Sequence, residues 1–280
     1  MAIYKIASVT LSSDITLPDY TPFITAGSEP PSHFLCSAGD TQPPRLETLE
    51  KVWNIGQISV YRDARPTTEY HWYISDTVNT LGVDRDHRMA ALFPSAFPAY
   101  LTSALCKPLI QLFVQCGTLS AGLMPLHAAC VSVDGAAVAF SGDSGIGKST
   151  RAAQWVETLG AEWISGDKPL VDPQAGIVYG VPWDGKEQIF RNVRCPLKAI
   201  LMVERAEKTE LIRLPAKVAF AHLIKQAFVP MWDKTLSVKA LQALNRMSAN
   251  IPVYILRCDR TEEAAAETYR MLFTQGDASL

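Results

Sequence analysis

The chain has 280 residues, 48% of them hydrophobic and 19% charged, with a net charge of −2. That composition excludes a disordered protein and leaves room for one large domain or two smaller ones. Without a basic excess, neither nucleic acid nor an anionic membrane is an expected partner. The six cysteines are scattered, with no CxxC pair, which argues against a zinc site or a disulfide framework and for a cytoplasmic setting. Met1 to Lys5 lacks the pattern of a signal peptide. The most apolar stretch, Phe97 to Gly142, is interrupted by Lys107, Pro108, His127 and Asp134, so it does not read as a membrane span.

Residues 1–95 read as a β-rich, irregular N-terminal subdomain. Ile3 to Leu11, Ile55 to Tyr61 and Tyr70 to Ile74 carry β-branched and aromatic residues, separated by Pro- and Ser-rich loops such as 28–32. Residues 96–120 read as a connecting helix. Leu101, Leu105, Leu109, Leu112 and Phe113 recur at helical spacing, and Pro108 is expected to kink or split it. Residues 121–280 read as an α/β domain. Strands are expected at 126–133, 136–141, 161–165, 199–204 and 253–257, and helices at 148–159, 215–228, 234–247 and 261–273. An Asp259-x-x-Glu262 capping box opens the last helix.

The strongest motif is Gly142-Asp143-Ser144-Gly145-Ile146-Gly147-Lys148-Ser149, a full G-x-x-x-x-G-K-[ST]. Glycines allow backbone conformations in which amide groups converge on phosphates. Lys148 is expected to meet the β- and γ-phosphates and Ser149 to ligate Mg²⁺, and residues 142–150, Thr150 included, are expected to bind the cofactor at the positive end of the helix. The apolar run Ala136 to Phe140 before the loop and Arg151 to Val156 after it supply the strand and helix that this chemistry requires. The expected cofactors are therefore ATP and Mg²⁺.

Asp134-Gly135 between two apolar runs signals a two-residue hairpin. Its register pairs Val133 with Ala136 and, carried to the far end, sets His127 opposite Gly142. The imidazole is then placed to bond phosphate or to steer a carboxylate, rather than being simply satisfied at a strand end. A slip of one residue would turn it to the other face. A βαβ unit of 136–141, 148–159 and 161–165 with a right-handed crossover lays the second strand parallel to the first. Asp167 then lies at its carboxyl end, where open α/β sheets bind ligands. There it can hold Mg²⁺ or accept the proton of an attacking hydroxyl.

These residues resemble the HPr kinase/phosphorylase family, itself related to ATP-dependent phosphoenolpyruvate carboxykinase. The likeness lies in Gly142–Ser149, in His127 on the preceding strand, and in Asp167, over roughly residues 124–172. The resemblance implies a P-loop core of that type, a mixed sheet flanked by helices. Where the family has an Asp-Asp pair, this chain has Gly166-Asp167, so one of two carboxylates that share base and metal roles is missing. No counterpart of the family's later Glu-x-Arg-Gly segment is present. Leu126-His127-Ala128-Ala129 and Gly180-Val181-Pro182-Trp183-Asp184-Gly185-Lys186 look like HPr-kinase-related proteins found beside peptide-modification genes, some of which phosphorylate a hydroxyl of a precursor peptide.

The expected activity is transfer of the γ-phosphate of ATP to a Ser or Thr hydroxyl of a protein or peptide, with His127, Lys148 and Asp167 as catalytic residues and Ser149 and Asp167 as metal ligands. A non-catalytic ATP-binding switch and a small-molecule kinase are the alternatives, and homo-oligomerisation is left open. In the loop 182–186, Trp183 is a candidate for stacking on a base and Lys186 for a phosphate contact, beside the bland reading of a surface turn. Arg191 and Arg194 are candidate charge stabilisers or ordinary surface arginines. Asp84-Arg85-Asp86-His87-Arg88 reads as a solvated loop rather than a metal site, because no second His or Cys stands at ligand spacing.

Overall fold

The computed structural model describes residues 1–27, 30–38, 42–63, 70–75, 79–93, 99–183, 185–259 and 261–274, with the backbone alone described for 70–75 and 99–105. Asp184 and the first residues, 96–98, of the helix expected from sequence lie outside the described residues, as does part of the 28–32 loop. The chain forms two compact units. One is Met1–Ala121 with Pro230–Lys239, and the other is Gly122–Val229 with Ala240–Leu280. The helix expected as a connector thus clusters with the first unit, and so does a ten-residue excursion from the C-terminal half.

The first unit is an eight-stranded mixed sheet with a helix on it. Its strands are β1 (Ala2–Ile6), β2 (Val9–Ser13), β3 (His33–Ser37), β4 (Leu49–Ile55), β5 (Ile58–Asp63), β6 (Tyr70–Ser75), β7 (Thr80–Asp84) and β8 (Met89–Phe93), in the order β1-β2-β3-β8-β7-β6-β5-β4. The pairs β2–β3 and β3–β8 are parallel, and the rest are antiparallel. Helix α1 (Ala99–Ser120) lies against β6 and β7 and runs through Pro108 as one helix, not two. Proline forfeits one i→i−4 bond, but the following turns bury Leu109, Ile110, Leu112, Phe113 and Val114. Burial worth about 1.5–3 kcal/mol per large apolar side chain holds the helix together across that gap.

The second unit contains β9 (Met124–Pro125), β10 (Ala128–Val133), β11 (Ala136–Ser141), α2 (Lys148–Leu159), β12 (Glu162–Ser165), β13 (Leu170–Asp172), β14 (Ile177–Tyr179), β15 (Arg194–Arg205), β16 (Glu210–Arg213) and α3 (Ala216–Leu223). It also holds most of α4 (Lys234–Asn250), then β17 (Val253–Cys258) and α5 (Glu262–Phe273). The long strand β15 serves two sheets. Its first residues pair with β14, which leads to β13 and β9; its later residues pair with β11 and β17. The resulting main sheet runs β12-β10-β11-β15-β17-β16, with β11, β15 and β17 parallel. The fold is therefore mixed α/β, with mixed sheets flanked by helices.

Sequence chemistry accounts for this core. Strand β11 is Ala-Ala-Val-Ala-Phe-Ser with its last five residues buried, as befits a strand covered on both faces. Phe140 meets Trp155 of α2 edge-on at 5.5 Å, and Trp155 in turn meets Tyr269 and Phe273 of α5. The Asp134-Gly135 turn has φ of 51° and 76°, the left-handed pair that a tight hairpin demands. It sets the register Val133↔Ala136 through Ala128↔Ser141.

Several boundaries differ from expectation. Pairing along the first hairpin strand starts at Ala128, and Leu126 lies outside it, in an isolated bridge to Ala227 and with its N–H donated to Pro169 O at 3.1 Å. The helix expected at 215–228 ends at Leu223. Thr261, not Asp259, caps α5: its hydroxyl accepts from Ala264 N–H, while Asp259 accepts from the backbone and hydroxyl of Thr261. Strand β12 runs in the same direction as β11, yet it pairs with β10, which lies between them.

Candidate functional site

The segment Gly142–Ser149 joins β11 to α2. Gly142 has φ of 139°, and a Cβ there would lie 3.3 Å from Ile146 Cγ2 and 3.4 Å from the carbonyl oxygen of Val203. Only glycine combines that backbone angle with so close an approach of β15. Gly145 and Gly147 also have positive φ, 77° and 113°. Gly147 is the N-cap of α2, so no side chain caps the helix, and its first turn carries no acid. A helix start left in this state presents backbone N–H groups and a positive end to an anion.

Lys148 curls back over the loop, its Nζ donating to the carbonyls of Gly142 at 3.0 Å and Asp143 at 3.1 Å. Burial lowers its pKa from the ordinary value, a shift opposed by Asp167 and Asp143. Arg205, at the end of β15, donates to the carbonyl of Gly145 at 3.0 Å. The loop thus carries two cations that its own carbonyls hold in place.

His127 sits just beyond the paired residues of β10 and is fastened on both sides. Its N–H donates to Gln226 O at 2.8 Å, and its carbonyl accepts from the buried Ser141 hydroxyl at 2.9 Å. Its ring reaches Gln226 through Nδ1 and Asp167 through Nε2, with Nε2 3.9 Å from Asp167 Oδ1. Burial lowers the imidazole pKa, Lys148 adds to that, and Asp167 and the Gln226 bond oppose it. The ring is therefore neutral near pH 7.

Asp167 is placed by the chain on either side of it. The Ser165 hydroxyl donates to Asp167 O at 2.9 Å, and the Trp183 indole donates to Lys168 O at 3.1 Å. Lys168, with φ of 47°, sends its ammonium to 3.4 Å from Asp167 Oδ2. The structure thus brings the loop, Lys148, His127 and Asp167 together in one unit.

It does not gather every candidate. Trp183 is only 5% exposed and spends its indole N–H on the backbone, so it packs beneath the 166–168 turn and does not offer a stacking face. Arg191 donates to Trp163 O and to Glu162 at 3.0 Å, tying the 191 segment to β12. Lys186 is exposed, as is Arg194 on the short stretch paired with β14. Conversely, Gln226 and Arg205 were not singled out from sequence. Neither belongs to a motif, and Gln226 is 99 residues from His127 along the chain. Among the described residues no three His, Cys, Asp or Glu side chains gather to hold a metal. A divalent ion here would have to draw on Ser149, Asp167 and the ligand's own oxygens.

A mixed α/β fold with a glycine loop set between a buried strand and an uncapped helix, flanked by an imidazole and a carboxylate, defines the class of protein. The chain belongs to the family described as SynChlorMet cassette protein ScmC, whose model matches residues 105–264. That stretch covers more than half of the chain and includes the loop, His127, Asp167, Arg205 and Gln226. A comparison with curated proteins finds no match.

Proposed function

We propose that the second unit is an ATP- and Mg²⁺-dependent phosphotransferase with a P-loop core of the HPr kinase and phosphoenolpyruvate carboxykinase type. On this reading it transfers the γ-phosphate to a Ser or Thr hydroxyl of a protein or precursor peptide in the cytoplasm. The observation that carries the proposal is the uncapped, glycine-built loop with Lys148 folded over it and His127 and Asp167 at its edge. A bound triphosphate with magnesium supplies the transferable phosphoryl group and partial charge neutralisation.

The protein's own groups then divide the remaining work. Amides of the loop and the start of α2 hold the phosphates, and Lys148 exchanges its two carbonyl contacts for phosphate oxygens. Ser149 and Asp167 offer the oxygen ligands for magnesium. Asp167 Oδ1 and the bare Nε2 of His127 face each other across 3.9 Å, too far to bond one another. An acceptor hydroxyl directed into that space donates its proton to one of them. The acceptor oxygen forms its bond to the γ-phosphorus as the bond to the bridging oxygen breaks, and the nucleoside diphosphate leaves. Arg205 is the nearest further cation to the loop carbonyls and is suited to charge that builds up there.

Gly166 favours a second reading, an ATP-binding switch without turnover, because it stands where the resembled family carries another carboxylate. Labelled γ-phosphate offered with candidate acceptor peptides separates the two. Kinase activity predicts transfer that disappears in Lys148→Ala and Asp167→Asn. A switch predicts nucleotide binding without transfer, and transfer appearing in Gly166→Asp.

A further inference from the structure

The first unit contains a cavity of about 650 Å³ at one end of its sheet, within the range of about 300–1,000 Å³ that holds small-molecule ligands. Five cationic side chains line it: Arg62 of β5, Arg85 and Arg88 of the β7–β8 turn, and Lys234 and Lys239 of α4. Asp86 and Asp233 are the carboxylates in its wall. Asp233 is already committed, since its Oδ1 accepts from Leu236 N–H at 2.9 Å as a helix cap and its Oδ2 lies 3.9 Å from His87. Lys239 is partly committed as well, with Nζ 3.4 Å from the carbonyl and hydroxyl of Ser120 near the end of α1. Arg88 also spends its Nε on the carbonyl of Ser32 at 3.3 Å. Five cations thus line the space beside two carboxylates, Asp86 and Asp233.

The surplus is not that of a solvated surface run. The cations come from three separate elements and outnumber the carboxylates of one hollow, which draws anions toward it. The 17-residue helix α4 starts at the cavity, its N-terminus already capped by the Asp233 carboxylate. The wall is closely built on the α1 side: a Cβ on Gly117 would come within 2.6 Å of the His33 ring. The segment 84–88, which sequence alone suggests is a solvated loop, supplies two of the arginines.

We propose that this cavity is a binding site for a small polyanion, a molecule carrying two or more phosphate or carboxylate groups. Guanidinium forks from Arg62, Arg85 and Arg88 meet such groups pairwise, and Lys234 meets them as a point charge. The assignment is independent of the phosphotransferase reading, because none of these residues belongs to the glycine loop.

Calorimetric titration of the full-length protein with pyrophosphate and, separately, with citrate tests it. Binding of either probe is expected, and the stronger of the two distinguishes phosphate from carboxylate chemistry. The double variant Arg62→Glu/Lys234→Glu is expected to weaken that binding by about tenfold or more, as reversal of charges in contact with an anion does. An acid in the first turn of α4 favours the helix, so the Lys234 change does not threaten the fold, and an unchanged melting temperature verifies it. Lys148→Ala is expected to leave citrate binding intact and to remove only the share of pyrophosphate binding that belongs to the loop. Absence of binding by both probes, or binding that survives the double variant, or binding abolished by Lys148→Ala alone, overturns the proposal.

Discussion

The carboxamide oxygen of Gln226 lies 3.3 Å from Nδ1 of His127, and this contact fixes which imidazole nitrogen carries the proton. The amide nitrogen of Gln226 donates to Asp143 Oδ1 at 3.1 Å. An ionised carboxylate only accepts, so the amide cannot be turned round, and its oxygen must face the ring. Nδ1 of the neutral ring is then the donor and Nε2 carries the lone pair, directed toward Asp167. Gln226→Leu removes this constraint and is expected to lower kcat about tenfold, part of the roughly 10²–10⁴-fold that a positioned acid or base contributes, with little change in KM for ATP. Steady-state kinetics check the split. A raised KM for ATP with kcat unchanged would instead assign Gln226 to ATP binding.

The acid limb of activity follows from the same ring. Because burial and Lys148 lower the His127 pKa, kcat/KM is expected to hold as pH falls through 6.5, the ordinary histidine value, and to decline below it. Gln226→Glu replaces the amide with a carboxylate, which favours the charged ring and is expected to move that limb to higher pH. A pH–rate profile of both proteins reads the shift directly.

His33 makes the first unit sensitive to acid. Burial and nearby Arg88 push its pKa from 6.5 down to about 4, Asp84 opposing, so the unfolded chain binds the proton more readily than the folded one. Its contribution is fully present above about pH 6.5 and is lost as pH falls toward 4, an order-of-magnitude cost of roughly 3 kcal/mol. His33→Gln keeps a polar partner for the Ser32 hydroxyl, which lies 2.9 Å from Nδ1, and does not titrate. Denaturant melts between pH 7 and 4.5 are expected to show a shallower loss of stability for the variant.

Two positions in the second unit separate packing from ligand binding. Trp155 is 1% exposed at the centre of the aromatic cluster with Phe140, Tyr269 and Phe273, and Trp155→Ala is expected to cost about 3–5 kcal/mol. Gly142→Ala places a methyl against β15 at φ of 139° and is expected to disturb the loop itself, costing about 1–3 kcal/mol in backbone strain. Chemical denaturation measures both. Nucleotide affinity per folded molecule is expected to fall for Gly142→Ala and to remain for Trp155→Ala.

What the sequence made legible was local. The Asp134-Gly135 turn sets the phase of a whole hairpin, and so the position of His127 followed from counting residues. The glycine loop was legible because its backbone angles demand glycine at fixed spacing. The insertion of β10 between β11 and β12 was not, because a βαβ pattern gives strand direction and not the neighbour. For Trp183 and Arg191 the ligand and packing readings stayed open in the sequence, since residue type in a loop does not reveal which carbonyl will claim the donor. Gln226 escaped notice because its role depends on a contact between distant segments. The regular sheet of the first unit lay behind loops whose composition masked β2, β3 and β8 as a parallel set.

The central claim is that the Gly142–Ser149 loop holds a nucleoside triphosphate. Calorimetric titration of MgATP into the protein and into Lys148→Ala tests it most directly. The account predicts saturable binding at one site, weakened about 10- to 100-fold in the variant, the range expected for losing a charged hydrogen bond of roughly 1.5–3 kcal/mol. Equal affinity in the two proteins, or no binding to either, would contradict it.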